Sequence, residues 1–286
     1  MLRIAYVNGR YVDHNHAAVH IQDRGYQFAD GVYEVCEIAR GYIVDMKRHL
    51  DRLDRSLREL QMQWPVCRSA MEVIIAEVVR RNRVRNGLVY LQVTRGVAPR
   101  DFPFPADTGS SLVITSKRTD SAGAEARAQK GVGVITVPES RWERVDIKST
   151  GLLANVLAKQ KAREAGAFEA WFVDADGKVK EGSSSNAWIV TKDGALVTRH
   201  AESGILRGIT RTTLIEVAAK LGIRFEERYF SVEEAKEARE AFLTSATTVV
   251  MPIVTIDGQP VANGHPGSVA LSLRAAFFDV AEKTPA

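Results

Sequence analysis

Residues 170–198 read AWFVDADGKVKEGSSSNAWIVTKDGALVT. Asp176-Gly177 and Asp193-Gly194 punctuate apolar runs there, among them Ala170-Trp171-Phe172-Val173 and Trp188-Ile189-Val190. An Asp-Gly pair readily adopts the two positive-φ positions of a tight hairpin turn, so each predicts two antiparallel strands. Asn8-Gly9, between Ile4-Ala5-Tyr6-Val7 and Arg10-Tyr11-Val12, carries the same signal near the start, and Asp257-Gly258 carries it near the end. The sheets are therefore expected to be largely antiparallel.

Between the hairpins the period changes. Leu50, Leu53, Leu57 and Leu60 are spaced for one face of a helix, and Ile74, Ile75, Val78 and Val79 repeat the pattern in the next. Val89–Thr94 and Leu112–Thr115 are rich in β-branched residues and read as strands. Residues 118–130 are small and polar with no large apolar anchor, which predicts a linker. Beyond it come a strand over 132–137, a helix over 150–165 with Leu152, Leu153, Val156 and Leu157 as its apolar face, the hairpins, a helix over 210–221 and a last one over 268–282. The chain thus divides into an N-terminal α+β domain (1–118), a linker (119–130) and a C-terminal α/β domain (131–286). A length of 286 residues suits two such domains.

Composition excludes several classes. With 45% hydrophobic and 26% charged residues the chain is neither fibrous nor disordered. The 39 basic and 35 acidic residues are dispersed and leave a net charge of +4, so nucleic acid is not an expected partner. No stretch of about 18 apolar residues predicts a membrane span, and the first residues do not read as a signal peptide, so a cytoplasmic location is expected. Cys36 and Cys67 lack metal or disulfide spacing, and no His/Cys/Asp cluster predicts a metal site.

Three segments can carry chemistry. Lys148, in Val145-Asp146-Ile147-Lys148-Ser149, sits at an element edge, where a lysine on its own reads as a solvated residue. Glu181-Gly182-Ser183-Ser184-Ser185-Asn186 joins two strands, and is either a plain turn or an acid beside hydroxyl donors. Gly208-Ile209-Thr210-Arg211 opens a helix whose first N–H groups can cradle a phosphate, unless Thr210 merely caps it. The hydroxyl-rich loop Thr244-Ser245-Ala246-Thr247-Thr248 could add donors to the same anion.

Taken in order, these segments resemble the fold-type IV pyridoxal-phosphate aminotransferases, and among them the D-amino acid enzymes. The resemblance also rests on Asp23-Arg24-Gly25-Tyr26-Gln27-Phe28-Ala29-Asp30-Gly31-Val32-Tyr33-Glu34-Val35 and on His49-Leu50-Asp51-Arg52-Leu53, and it covers nearly the whole chain. It implies a two-domain architecture with mixed, largely antiparallel sheets and flanking helices, in which the C-terminal domain carries the Schiff-base lysine. Lys148 would bind the cofactor and move the proton at Cα, and Glu181 would face the pyridine nitrogen. Arg52, Gly208, Ile209, Thr210, Ser245, Ala246 and Thr247 would hold the phosphate, Leu206 would pack on the ring, and Ser185 and Asn186 would make further contacts. Tyr33 and Arg100 would bind the substrate carboxylate, Arg100 from the partner subunit of a homodimer, with amino acids and 2-oxo acids as substrates.

One position departs from the pattern. Thr94-Arg95-Gly96-Val97-Ala98-Pro99-Arg100-Asp101-Phe102 has Phe102 where the resemblance calls for a histidine in the carboxylate trap. Other activities of the same fold stay open: a branched-chain L-amino acid aminotransferase, an (R)-amine transaminase, or a lyase of the aminodeoxychorismate type. A basic binding protein is the alternative from another class, given the pI near 9.1.

Overall fold

The computed structural model describes residues 3–202 and 204–286. The elements begin with β1 (Ile4–Val7), β2 (Arg10–Asp13), α1 (Arg24–Phe28), β3 (Gly31–Ala39), β4 (Tyr42–Val44), α2 (Met46–Glu59), α3 (Arg68–Asn82), β5 (Gly87–Thr94) and β6 (Ser111–Arg118). Next are α4 (Ser121–Lys130), β7 (Val132–Pro138), α5 (Leu153–Glu164), β8 (Glu169–Val173), β9 (Val179–Gly182), β10 (Asn186–Val190) and β11 (Leu196–Thr198). The chain finishes with α6 (Ile209–Lys220), β12 (Phe225–Glu227), α7 (Val232–Glu237), β13 (Glu240–Ser245), β14 (Val249–Ile256), β15 (Gln259–Pro260), α8 (Ser268–Val280) and β16 (Lys283–Pro285).

These elements form two compact units. The first holds a seven-stranded sheet in the order β16-β4-β3-β5-β6-β1-β2, and every pair in it is antiparallel. Asn8 and Gly9 both have positive φ, as the hairpin between β1 and β2 requires. On β3 the even residues Val32, Glu34, Cys36 and Ile38 are buried, while Tyr33, Val35, Glu37 and Ala39 are only partly so. The buried side chains pack on Leu50, Leu53 and Leu57 of α2 and on Met71, Ile75 and Val78 of α3.

The second unit holds a nine-stranded sheet with β7 parallel to β8 and to β14, β11 parallel to β12, and its remaining pairs antiparallel. The three Asp-Gly turns join β8 to β9, β10 to β11 and β14 to β15, each across an antiparallel pair. Trp171, Val179, Ala187, Ile189 and Phe230 form part of its core.

Three expectations need revision. The stretch read as a linker is largely helix α4, because alternating alanines favour helix and Ala128 is fully buried in the second core. Residues 147–151 group with the first unit, although they lie between two segments of the second. Lys148 therefore belongs to the unit built mainly from the N-terminal part of the chain: its carbonyl accepts from Tyr33 N at 3.0 Å, and Thr150 N donates to Gly31 O at 2.9 Å. Residues 282–286 also join the first unit, where β16 pairs with β4. The third revision concerns α5, which buries Ala158 and Ala162 and leaves Leu153, Val156 and Leu157 exposed. Small residues four apart let this helix approach Ala170 and Phe172 of β8 closely, which turns the larger side chains outward.

Candidate active site

In the first unit, Tyr33 of β3 and Lys148 come together. Lys148 Nζ lies 4.2 Å from the centroid of the Tyr33 ring, an arrangement in which the ring face attracts the cation. Tyr33 in turn stacks on Tyr90 of β5 at 5.6 Å, and Tyr90 donates to Gln92 Oε1 at 2.6 Å. A lysine carried on a short extended segment is thus held against one sheet face by an aromatic and polar floor.

The neighbouring residue on β3 points the other way. Glu34 is fully buried and accepts from Arg52 Nε, Arg52 Nη2 and His49 Nδ1, each at 2.7 Å. Burial drives the Glu34 carboxyl upward, but the charge and hydrogen bonds of Arg52, aided by His49, outweigh it and hold the group at about 2. Burial lowers the His49 imidazole, against the pull of Glu34. An ionised carboxylate only accepts, so Nδ1 of His49 carries the hydrogen. Read from sequence, His49 is a helix-surface residue; its spacing from Leu53 instead puts it on the buried face of α2. The legible signal for this cluster is Glu34 itself, an acid at an inward position of an alternating apolar strand.

Arg100 lies at 4.6 Å over the Phe28 ring, and Phe102 sits 5.7 Å from the same ring while remaining 81% exposed. Buried Arg24 fixes this loop through the carbonyls of Asp101 (2.6 Å) and Phe102 (3.2 Å) and pairs with Asp30 at 2.9 Å. Tyr33, Arg52, Arg100 and Lys148 thus all belong to the first unit.

The second unit gathers the remaining expected residues. Glu181, 4% exposed at the end of β9, accepts from Arg141 Nη1 at 2.5 Å, Asn186 Nδ2 at 3.0 Å and Leu206 N at 3.1 Å. Three donors fix the plane of this carboxylate. Asn186 also donates to the Leu206 carbonyl at 2.9 Å, so one side chain ties the acid to the segment leading into α6. Helix α6 begins after Gly208, which provides no side-chain cap, and Thr210 is buried in its first turn. Thr210 therefore does not cap the helix, and the N–H groups of Ile209 and Thr210 occupy its unsatisfied, electropositive end. A Cβ at Gly208 would stand 2.1 Å from Asn186 Oδ1, so the approach of α6 to Asn186 requires glycine.

Other donors are already engaged. Ser183, Ser184 and Ser185 all direct their hydroxyls to Glu169, a buried carboxylate that also takes the Ala170 N–H. Ser185 thus serves to hold its loop in shape. In the β13–β14 loop, Ser245 Oγ lies 3.1 Å from Thr247 Oγ1 and 2.9 Å from Thr248 Oγ1, a compact hydroxyl cluster that includes the expected phosphate ligands Ser245 and Thr247 and flanks Ala246. Sequence reasoning misses Arg141, which lies outside every motif singled out above. Its side chain is 5% exposed and bridges Glu181 and Glu139. Burial works against the Arg141 charge and the two acids raise it, while Glu139, despite burial, is held at about 2 by Arg141 and Lys180.

Each unit's donor set suits one part of a phosphorylated pyridine aldehyde. An uncapped helix start whose entry glycine admits no side chain suits the phosphate, a fixed carboxylate suits a ring nitrogen, and a lysine amine suits the aldehyde. Among the described residues no cluster of three His, Cys, Asp or Glu side chains could hold a metal ion, and no helix is long and apolar enough to cross a membrane.

Comparison with known proteins agrees with this chemistry. The family model for amino-transferase class IV matches residues 31–256. The chain is 40% identical over 270 residues to the D-alanine aminotransferase of Bacillus licheniformis, covering 94% of each protein. It is 40% identical over 274 residues to the D-alanine aminotransferase of Listeria innocua serovar 6a, covering 96% of this chain and 94% of the relative. Among solved structures, the T.th. branched-chain amino acid aminotransferase with pyridoxamine 5'-phosphate superposes with a TM-score of 0.89 at 28% identity, over 98% of this chain and 94% of that one.

Proposed function

The chain belongs to the class IV aminotransferases, and from that premise we propose that it transfers the amino group of D-amino acids to 2-oxo acids, with D-alanine and 2-oxoglutarate giving pyruvate and D-glutamate. The observation that carries this reading is the 40% identity to D-alanine aminotransferases across 94% of both chains. The solved branched-chain relative shares less of the sequence, at 28%.

Pyridoxal phosphate, when bound, supplies an aldehyde for the amino group and a conjugated ring that takes up the electrons left when the Cα proton departs. Lys148 would anchor that aldehyde, and its Nζ would take the proton from the substrate Cα and give one back as acid. The Tyr33 ring limits where Nζ can swing. Glu181, held by Arg141, Asn186 and Leu206, supplies the negative charge that keeps a ring nitrogen protonated. The first turn of α6, with Gly208, Ile209 and Thr210, would hold the phosphate together with Arg52 and the Ser245-Ala246-Thr247 loop, and Leu206 and Asn186 would make further contacts with the cofactor. Arg52 enters this task already oriented by Glu34. Ser185 contributes through its loop.

The working form we propose is a cytoplasmic homodimer in which Tyr33 of one subunit and Arg100 of the other bind the substrate carboxylate. Two features support association: Leu153, Val156 and Leu157 form an exposed apolar face on α5, and the Arg100–Phe102 loop presents Phe102 to solvent while Arg24 anchors its backbone. Phe102 contributes no donor to that trap.

The test is the visible spectrum of the purified protein before and after D-alanine and then L-alanine, with pyruvate assayed in the presence of 2-oxoglutarate. A yellow band bleached by D-alanine alone, with pyruvate formed, is the expected result. Bleaching by branched-chain L-amino acids or by (R)-1-phenylethylamine instead would move the assignment to a sister activity.

A further inference from the structure

The first unit contains a cavity of about 640 Å³ whose walls share no residue with the site described above. Arg40 and Tyr42 enter it from the β3–β4 turn, Arg80 and Arg83 from the end of α3, Arg85 from the loop before β5, and Arg118 from the end of β6. No Asp or Glu side chain lines it. Arg80 pairs with Glu77, but Arg40, Arg83, Arg85 and Arg118 have no carboxylate partner among the described residues. Ala286 reaches the rim, where its N–H donates to Gly41 O at 3.1 Å.

Two of its arginines stand where the backbone would favour other residues. Arg40 and Arg83 both have left-handed backbone, with φ of 54° and 50°. Glycine and asparagine adopt that region at lower cost than arginine. The walls are tied together: Arg40 N donates to Asn86 Oδ1 at 2.9 Å, Gly41 N to Arg85 O at 2.8 Å, and Arg118 Nη2 to Arg83 O at 3.2 Å. Val79 and Val84 supply an apolar floor.

We propose that this cavity binds a small organic polyanion, recognised through phosphoryl or carboxylate oxygens by the arginine forks, with its carbon body against Tyr42 and the valines. An open recess of this volume, walled by exposed arginines, suits a small anion held at the surface. A nucleic acid strand would instead follow an extended basic groove. The inference is independent of the transamination reading, because binding is measured without turnover.

The experiment is calorimetric titration of the pyridoxal-phosphate-loaded protein with tripolyphosphate and, separately, with citrate. The expected result is saturable binding of one probe per chain, weakened at least about tenfold in Arg40→Asn/Arg83→Asn, whose asparagines tolerate the left-handed backbone. The variant's melting temperature and transaminase rate should stay near those of the parent. Preference for tripolyphosphate assigns a phosphorylated ligand, and preference for citrate a polycarboxylate. Should the asparagine pair fail to fold, Arg85→Gln/Arg118→Gln at exposed positions carries the same expectation. Equal affinity in parent and variant, no saturable binding of either probe, or tighter arginine-dependent binding of a single-stranded RNA oligonucleotide would overturn the proposal.

Discussion

Glu34→Gln removes a charge from a fully buried position while preserving its shape. Glutamine offers one oxygen. Placed where Oε2 stands, it keeps Arg52 Nη2 and His49 Nδ1, but its NH2 then faces Arg52 Nε–H, donor against donor. The guanidinium, 9% exposed, loses the buried anion it is paired with. Removing one member of a buried ion pair costs about 3–5 kcal/mol. The pull of Arg52 and His49 on the carboxyl, which holds it at about 2 instead of 4.5, corresponds at 1.36 kcal/mol for each pH unit to a comparable ~3 kcal/mol. Since the native group gives up its proton more readily than the unfolded one, this contribution is complete above pH 4.5 and disappears as pH falls towards 2. Urea unfolding followed by tryptophan fluorescence, on parent and variant side by side, reads it directly. The variant should be less stable by ~3 kcal/mol at neutral pH, with the gap narrowing through the acid range. Equal stability at neutral pH, or a gap that stays constant down to pH 2, would refute the account of this cluster.

Gly208→Ala should weaken cofactor retention about tenfold, measured as dissociation of pyridoxal phosphate on dilution, because the new methyl group collides with Asn186 and overpacking of this kind costs about 1–3 kcal/mol. Gly267→Ala should lower the melting temperature by several degrees in scanning calorimetry and leave the substrate KM unchanged. Its Cβ would stand 1.9 Å from Cδ of Glu240, the carboxylate that receives the first N–H groups of α8 at Val269 and Ala270. Phe102→His should raise kcat/KM for D-alanine about tenfold in steady-state assays by restoring a charge-assisted donor to the carboxylate trap; an unchanged value would remove this loop from the trap.

Much of the fold is legible because its signals are local. Each Asn-Gly or Asp-Gly turn joins an antiparallel pair and has its glycine at positive φ, although only Asn8 and Asp257 share that region with their glycines. The start of α6 at Gly208-Ile209 is legible for the same reason. What escapes a linear reading is set by distant partners. The leucines and valine of α5 have core-like spacing, but the helix packs through its alanines, a choice made by β8. Arg141 has no pattern of its own, and its role follows from Glu181, forty residues later. Glu34 lies between the two cases: its inward position can be read from β3, but its partners on α2 cannot.

The first sheet has a consequence for the order in which the protein can form on the ribosome. Its outer strand β16 comes from residues 283–285, and the segment bearing Lys148 rests on β3 only after residues 147–151 have been made. A nascent chain ending at Ser121 therefore exposes the β4 edge and leaves Tyr33 N without the Lys148 carbonyl. Completion of this unit waits first for residues 147–151 at mid-chain and then for β16, synthesised after all of α8.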